Sequence, residues 1–270
     1  MELTPAQREQ YNQDGFLIFP ELFSAQEVAV LRDEVQRIAK VESDCIFREG
    51  QSGAAKSMFR MHETGGPTAS APFRAATRTA RALHIAQQVL GEDDLYLHHC
   101  KVNMKPAIEG TVWPWHQDYG AWQLDGIAEP RLATMVVLLD DATEFGGCLY
   151  LLPGSHCKGR KTARYDETTP YKLWAVGPDA MRAMIARCPD PVPLTGTAGT
   201  AAIFHCNNMH ASGHNLSAKD RWQAYFCYNT VANRPTDVDN SRPDYVRSRN
   251  WTPMTLEPED GIVSAVALNA

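Results

Sequence analysis

Trp113-Pro114-Trp115-His116-Gln117-Asp118-Tyr119 decides how the rest of this chain is read. Side chains alternate along an extended strand, so residues two apart share a face. His116 and Asp118 therefore project together, an imidazole beside a carboxylate, suited to holding one metal ion. The pattern is short. With nine His in 270 residues, a chance His-x-Asp is expected about half the time, and a surface His beside a turn Asp would look the same. Its meaning depends on a third ligand.

That ligand has to come from His156, His205, His210 or His214. His205 ends a buried-looking strand, Thr200 to Cys206. His210 follows in Asn207-Asn208-Met209-His210-Ala211-Ser212-Gly213, a strand-end loop of the kind that lines a barrel mouth. His214 lies beside Asn215 in a solvated turn. His156, in Pro153-Gly154-Ser155-His156, reads as a structural turn residue. A second imidazole completes a two-His-one-carboxylate face, typical of non-haem Fe(II) oxygenases, which keep the opposite positions open for cosubstrate and O2.

Arg221 opens the strand Arg221-Trp222-Gln223-Ala224-Tyr225-Phe226-Cys227-Tyr228-Asn229. Alternation puts Arg221, Gln223, Tyr225 and Cys227 on one face and Trp222, Ala224, Phe226 and Tyr228 on the other. An inward Arg is unfavourable without an anion, and its planar fork matches a carboxylate. A dicarboxylate that chelates a metal at one end and meets Arg221 at the other satisfies both demands. The plain alternative is an Arg at a strand entrance beside Asp220.

The bulk composition narrows the classes. An apolar content of 44% supports a sizeable core, and a net charge of −6 argues against nucleic acid or an anionic membrane as the main partner. No apolar run reaches the roughly 18–20 residues of a membrane span. The polar start Met1-Glu2-Leu3-Thr4-Pro5-Ala6-Gln7 lacks an apolar signal segment. Seven scattered cysteines without a Cys-x-x-Cys pair read as free thiols, which makes a cytoplasmic location the default.

Thr4-Pro5 signals a first helix, Gly15 to Pro20 a short strand, and Ser24-Ala25-Gln26-Glu27 a capping box opening a helix to about Ala39. Residues 42–70 are polar and Gly-containing and read as a mobile loop. Another helix is expected over about 73–90. From Leu95 on come short strands: Tyr96 to Met104, Trp113 to Tyr119, Thr134 to Leu139, Cys148 to Leu152, Thr200 to Cys206 and Arg221 to Thr230. A hairpin turn is expected at Glu144-Phe145-Gly146-Gly147 and a helix at 176–188. The fold class is α+β, mainly β: a barrel or sandwich flanked by helices.

His116-x-Asp118, His210, and Arg221 eleven residues later resemble the phytanoyl-CoA dioxygenase superfamily, and within it the bacterial ectoine-hydroxylase-like branch. The resemblance extends over most of the chain. It includes Tyr11-Asn12-Gln13-Asp14-Gly15-Phe16-Leu17, His99-Cys100-Lys101-Val102-Asn103-Met104-Lys105-Pro106, Leu152-Pro153-Gly154-Ser155-His156 and Tyr228-Asn229. It implies one domain over residues 1–270 built as a double-stranded β-helix, a cupin-like jelly roll. Its helical flank spans about 1–92, its core about 95–232 and its tail 233–270. It implies Fe(II), 2-oxoglutarate and O2 as cofactor and cosubstrates. His116, Asp118 and His210 would be the catalytic metal ligands. Arg221 would pair with the far carboxylate of 2-oxoglutarate, with Asn103 and Ser212 as further contacts. Trp122 and Tyr225 match positions walling the substrate pocket.

The branch carries Phe-Glu-Thr-Trp-His after its metal Asp, where this chain has Tyr119-Gly120-Ala121-Trp122-Gln123. A Gln on the strand before the metal motif is His99 here, and the segment from Trp122 to Pro130 is one residue longer. These departures point away from ectoine itself and leave the iron site untouched. His99, Lys101 and Arg60 offer polar or cationic groups near the expected mouth, and Trp122 a cation–π face. The expected reaction is hydroxylation of an unactivated C–H bond, coupled to decarboxylation of 2-oxoglutarate to succinate and CO2. The expected substrate is a small zwitterion: an amino or imino acid, a compatible solute or an aminophosphonate. The protein is expected to be a monomer or homodimer. Two rival readings are a cupin-like Zn-dependent hydrolase or lyase, which would not need an inward Arg221, and a non-catalytic metal-binding module.

Overall fold

A computed structural model describes residues 1–50, 52–168, 173–239 and 241–267. α1 (Pro5–Asp14) and α2 (Ala25–Ile38), separated by β1 (Phe16–Phe19), each open on a capping box, Thr4 with Gln7 and Ser24 with Glu27. In each, the hydroxyl accepts from the third backbone N–H while the longer side chain accepts from the cap's own N–H, satisfying two orphan donors. Val28, Leu31, Val35 and Ile38 form the buried stripe of α2.

Residues 42–70 are not simply a loop: they hold β2 (Ile46–Arg48) and β3 (Ala55–Phe59), the latter buried along its whole length. Polar composition hid this strand. Lys56 is buried because it meets Glu49 at 3.1 Å, and Ser57 because it donates to Asn103. The helix expected over 73–90 is two, α3 (Ala71–Ala76) and α4 (Ala80–Leu90). At the break, the Thr77 and Thr79 hydroxyls donate to the carbonyls of Arg74 and Ala76, competing with helical bonding.

The remaining elements are β4 (Leu95–Lys105), β5 (Trp113–His116), α5 (Tyr119–Trp122), β6 (Leu132–Leu138), β7 (Leu149–Leu151), β8 (Ala163–Asp166), β9 (Leu173–Val176), α6 (Pro178–Ile185), β10 (Val192–Leu194), β11 (Ala201–His205), β12 (His210–Ser212), β13 (Arg221–Thr230) and α7 (Gly261–Ala267). One antiparallel sheet runs β1-β11-β6-β13-β4-β3-β2 and the other β10-β7-β12-β5, with β8 and β9 pairing apart from both. The turn at Glu144 to Gly147 does not close a hairpin; it carries the chain from β6 in the large sheet to β7 in the small one.

Trp222, Ala224, Phe226 and Tyr228 face the helices and pack with Leu31, Val35, Phe73 and Leu83. On the opposite face Val136, Leu138, Phe204 and Tyr225 meet Leu149, Leu151 and Leu194 of the small sheet. The result is a double-stranded β-helix with helical flanks, and the inward alternation of Arg221, Gln223 and Tyr225 holds. The first 92 residues also lend β1, β2 and β3 to the large sheet. The tail returns to the body: α7 packs against α3 and α2. Asn240 and residues 268–270 of that tail lie outside the described residues. No helix among the described residues is long and apolar enough to cross a membrane.

Replacing Ser24 by Ala removes the α2 cap and is expected to lower stability by about 1 kcal/mol. Urea unfolding measures this; an unchanged midpoint would show that α2 is held by packing alone.

Candidate active site

β5 pairs with β12 so that His116 stands directly opposite His210. Their ring centroids are 4.1 Å apart. β5 stops at His116, so alternation does not deliver Asp118 as expected. Instead the chain turns into α5, with Asp118 in helical geometry just before it. Gln117 points the other way and pins this turn: it donates to Asn207 O at 2.8 Å and accepts from Lys161 N at 2.7 Å. Asp118 Oδ1 then lies 4.0 Å from His116 Nε2 and 3.8 Å from His210 Nε2. The three ligand atoms fall within 4.8 Å of one another, the one such group among the described residues.

Each histidine is oriented by its own strand. His116 Nδ1 sits 2.7 Å from Pro114 O and His210 Nδ1 2.9 Å from Asn208 O. A carbonyl only accepts, so both Nδ1 atoms carry the hydrogen and both Nε2 lone pairs face Asp118. Thr134 donates to Asp118 Oδ2 at 3.3 Å, holding the carboxylate from the far side. Burial, aided by His210, brings the His116 imidazole down to about 3, and burial also lowers His210. Burial would raise the Asp118 carboxyl, but His210, Lys101 and His116 outweigh it and keep it below its ordinary value. Neutral imidazoles and an ionised carboxylate are the protonation states a divalent metal requires, and the donor set fits Fe(II).

Arg221 is 2% exposed. It donates to Gly147 O at 2.9 Å and to Gln223 Oε1. Gly147 is obligatory there: its φ is 66°, and a Cβ would come within 2.7 Å of the carbonyls of Gly213 and His214. Arg221 Nε and Gln223 Nε2 are buried donors without a partner among the described residues. An anion with acceptor oxygens fits them, as the far carboxylate of 2-oxoglutarate would. Asn103 accepts from Ser57 on the adjoining strand, and Ser212, also buried, closes β12.

A small cavity next to the metal ligands is lined by His99, Lys101, Trp113, Asp118, Trp122 and Arg242, among others. Trp122 is almost wholly buried and meets the His99 ring edge-on at 5.4 Å. His99 donates through Nδ1 to Val246 O at 3.1 Å, which leaves Nε2 as a buried acceptor. Tyr225 borders this region under Lys101, whose Nζ is 5.1 Å from its ring centre. Arg60 is not brought to the cavity: it pairs with Glu63 at 3.8 Å and is half exposed. Sequence reasoning missed Gln117, Thr134, Gln223 and Arg242. Gln223 was on the predicted inward face. Arg242 carried no local signal; it reaches the cavity because Asp125, itself deeply buried, holds its Nε at 2.9 Å. His156 and His205 stack on each other at 5.4 Å, away from the metal group, and His214 is exposed.

A two-His-one-carboxylate face with a buried arginine on the same wall defines a metal-dependent enzyme that takes an anionic cosubstrate. The phytanoyl-CoA dioxygenase (PhyH) family profile matches residues 11–222. The chain belongs to this family, and with it to the 2-oxoglutarate-dependent dioxygenases. An ectoine dioxygenase of Nocardia farcinica is 32% identical over 267 residues, covering 94% of this chain and 88% of the relative. An L-proline trans-4-hydroxylase of Streptomyces griseoviridis is 33% identical over 255 residues, covering 90% and 92%. The crystal structure of EctD from S. alaskensis with 2-oxoglutarate and 5-hydroxyectoine matches with a TM-score of 0.80 at 29% identity, covering 94% of this chain and 86% of that one.

The buried histidines make the metal-free protein acid-sensitive. Below about pH 6.5 the unfolded chain protonates its histidines, while the folded protein resists at His116 down to about 3 and at His205 down to about 4. Stability is therefore fully present above about pH 6.5 and is lost as pH falls through this window. The urea midpoint of metal-free protein should decline from pH 7 to pH 4; a flat midpoint would contradict the buried neutral imidazoles.

Proposed function

We propose that the chain hydroxylates an unactivated C–H bond of a small zwitterion bearing a carboxylate and a cationic nitrogen, using His116, Asp118 and His210 to hold Fe(II). Arg221, with Gln223, Asn103 and Ser212, takes the far carboxylate of 2-oxoglutarate. The observation that carries this reading is the conjunction of the three-ligand group with a buried arginine that has no carboxylate partner among the described residues. A zinc hydrolase would have no use for that arginine.

When bound, iron and 2-oxoglutarate supply the oxidising power, with succinate and CO2 as by-products. The protein supplies orientation. The two Nδ1–H bonds keep both Nε2 atoms aimed inward, and Thr134 keeps Asp118 ionised and turned to them. Water is excluded on this side by Trp122 and Tyr225, both buried.

Lys101, and Arg242 held by Asp125, line the cavity with N–H donors suited to a substrate carboxylate. His99 Nε2 accepts, so it suits an N–H of the substrate, and Trp122 offers an aromatic face to the same cationic nitrogen. Ectoine and proline relatives support this class of substrate. Gly120 and Ala121 in place of acidic and polar residues favour an imino or amino acid over ectoine.

The first test is anaerobic addition of Fe(II) and 2-oxoglutarate, following the weak visible charge-transfer band of the chelate. The band is expected in the unaltered protein and absent in His210→Ala and Asp118→Ala. Succinate release that depends on L-proline, its six-membered homologue or ectoine, with gain of one oxygen in the product, then identifies the substrate. A protein that holds metal but never gives the band would sink the dioxygenase reading.

A further inference from the structure

Across β4 from the substrate cavity lies a second, smaller cavity of about 50 Å³. A bulge in β4 parts the two. His99 and Leu97 pair with consecutive residues of β13, Cys227 and Tyr228, which leaves His98 as the extra residue. His99 therefore lines the substrate cavity, while Leu97 turns to the helical side and lines the second one. The tail closes this second cavity with Ser248, Asn250, Thr252 and Met254, and Ser248 N donates to His98 O at 2.6 Å.

The polar wall of this cavity is cationic and poorly partnered. Arg74 lies in the last turn of α3, and Arg78 stands between α3 and α4. Neither has a carboxylate within ion-pair reach among the described residues. The Arg74 side chain makes no hydrogen bond among them. Arg78 makes two long ones, each 3.4 Å, to the carbonyl and hydroxyl of Thr255. Burial lowers the Arg78 guanidinium from its ordinary value; Glu257 opposes this and Arg74 adds to it. His62 is 12% exposed, and its Nδ1 is buried without a partner among the described residues. Burial, with Arg60 and Arg78, brings its imidazole down to about 3, so it is neutral at pH 7. Glu63 is the one acidic residue of the lining, already met by Arg60 at 3.8 Å and by Ser248 Oγ at 3.4 Å. Arg60, Arg74 and Arg78 against Glu63 and Glu257 leave one positive charge in excess.

We propose that this cavity binds a small oxyanion, inorganic phosphate or the phosphate of a compact monoester, between Arg74 and Arg78. The guanidinium forks match its oxygens. His62 adds a donor in its Nδ1–H tautomer, and Thr64 and Asn250 bring neutral N–H and O–H groups to the same lining. A bound anion cancels the excess charge and relieves the repulsion between the two arginines. The site shares no residue with the metal centre and stands apart from the reaction proposed above.

The test is thermal unfolding of the full chain, loaded with Fe(II) and 2-oxoglutarate without oxygen so that the anion positions of the active site are filled. Inorganic phosphate and glycerol 3-phosphate are titrated separately, with sodium chloride holding the ionic strength constant. Phosphate should raise the melting temperature saturably, and Arg74→Gln should weaken its binding by about 10-fold or more. Arg74→Lys, which keeps the charge and loses the fork, should retain part of the affinity. Without anion, Arg74→Gln should melt no lower than the unaltered protein, because it removes a charge that Arg78 repels. An equal response to glycerol 3-phosphate assigns the site to a monoester, and a response to phosphate alone assigns it to the free ion. No saturable response to either overturns the proposal. So does a response of equal strength in Arg74→Gln, whatever its melting temperature, since the anion then binds elsewhere. Failure of the chain to take up 2-oxoglutarate would overturn the dioxygenase reading and leave this comparison intact, because Arg74 lies outside the active site.

Discussion

The register that sets His116 opposite His210 across β5 and β12 is the constraint on which the site depends. A slip of one residue in either strand would turn an imidazole to the other face of the sheet. Both sides of the pair are fixed. β12 is clamped on its other edge by β7, with His210 opposite Leu151. Beyond β5, Gln117 ties the turn to the loop after β11. The carboxylate is the part not set by strand pairing. It depends on α5 and on Thr134 from the large sheet, so the metal face is assembled across both sheets.

Charge explains why the interior of this barrel is unlike an ordinary core. Arg221, Lys105, Lys101, Arg242 and the ligand histidines are all gathered near the inner face, and buried Arg221 has no carboxylate within ion-pair reach among the described residues. Without an anion this arrangement lowers stability. The fold tolerates it because the helical side of the large sheet is densely apolar, from Leu31 and Val35 through Phe226 and Tyr228. Stability resides on one face of the sheet and recognition on the other. Segregation of this kind lets binding groups remain partly unsatisfied until ligands arrive.

Much of this was legible in local patterns. β13 was readable to the residue because a ten-residue strand of alternating large side chains admits one register. The two capping boxes were readable because their bonds are local. His116 and Asp118 were readable through residue type and spacing, whereas four histidines competed for the third place and the family resemblance singled out His210 and Arg221. The hidden parts depend on distant partners. β3 did not look like a strand because Lys56 and Ser57 are polar, and only Glu49 and Asn103 make their burial tolerable. Arg60 seemed a binding group from its neighbourhood in sequence, yet its backbone turns it to Glu63.

By itself, then, the sequence determined the fold class and the His116-x-Asp118 pair, and its resemblance to a known family singled out His210 and Arg221 and the kind of chemistry expected of them. The fold class follows from alternation and capping, which act between near neighbours, and the site residues from donor type and motif spacing. Only the tertiary structure decided how Asp118 returns to the histidines after β5 ends, and that Lys105 confronts Arg221. It also brought Arg242 from the tail to the cavity, held there by Asp125. Those facts come from cross-strand register and long-range ion pairing, which join residues far apart in the chain and leave no mark in local sequence.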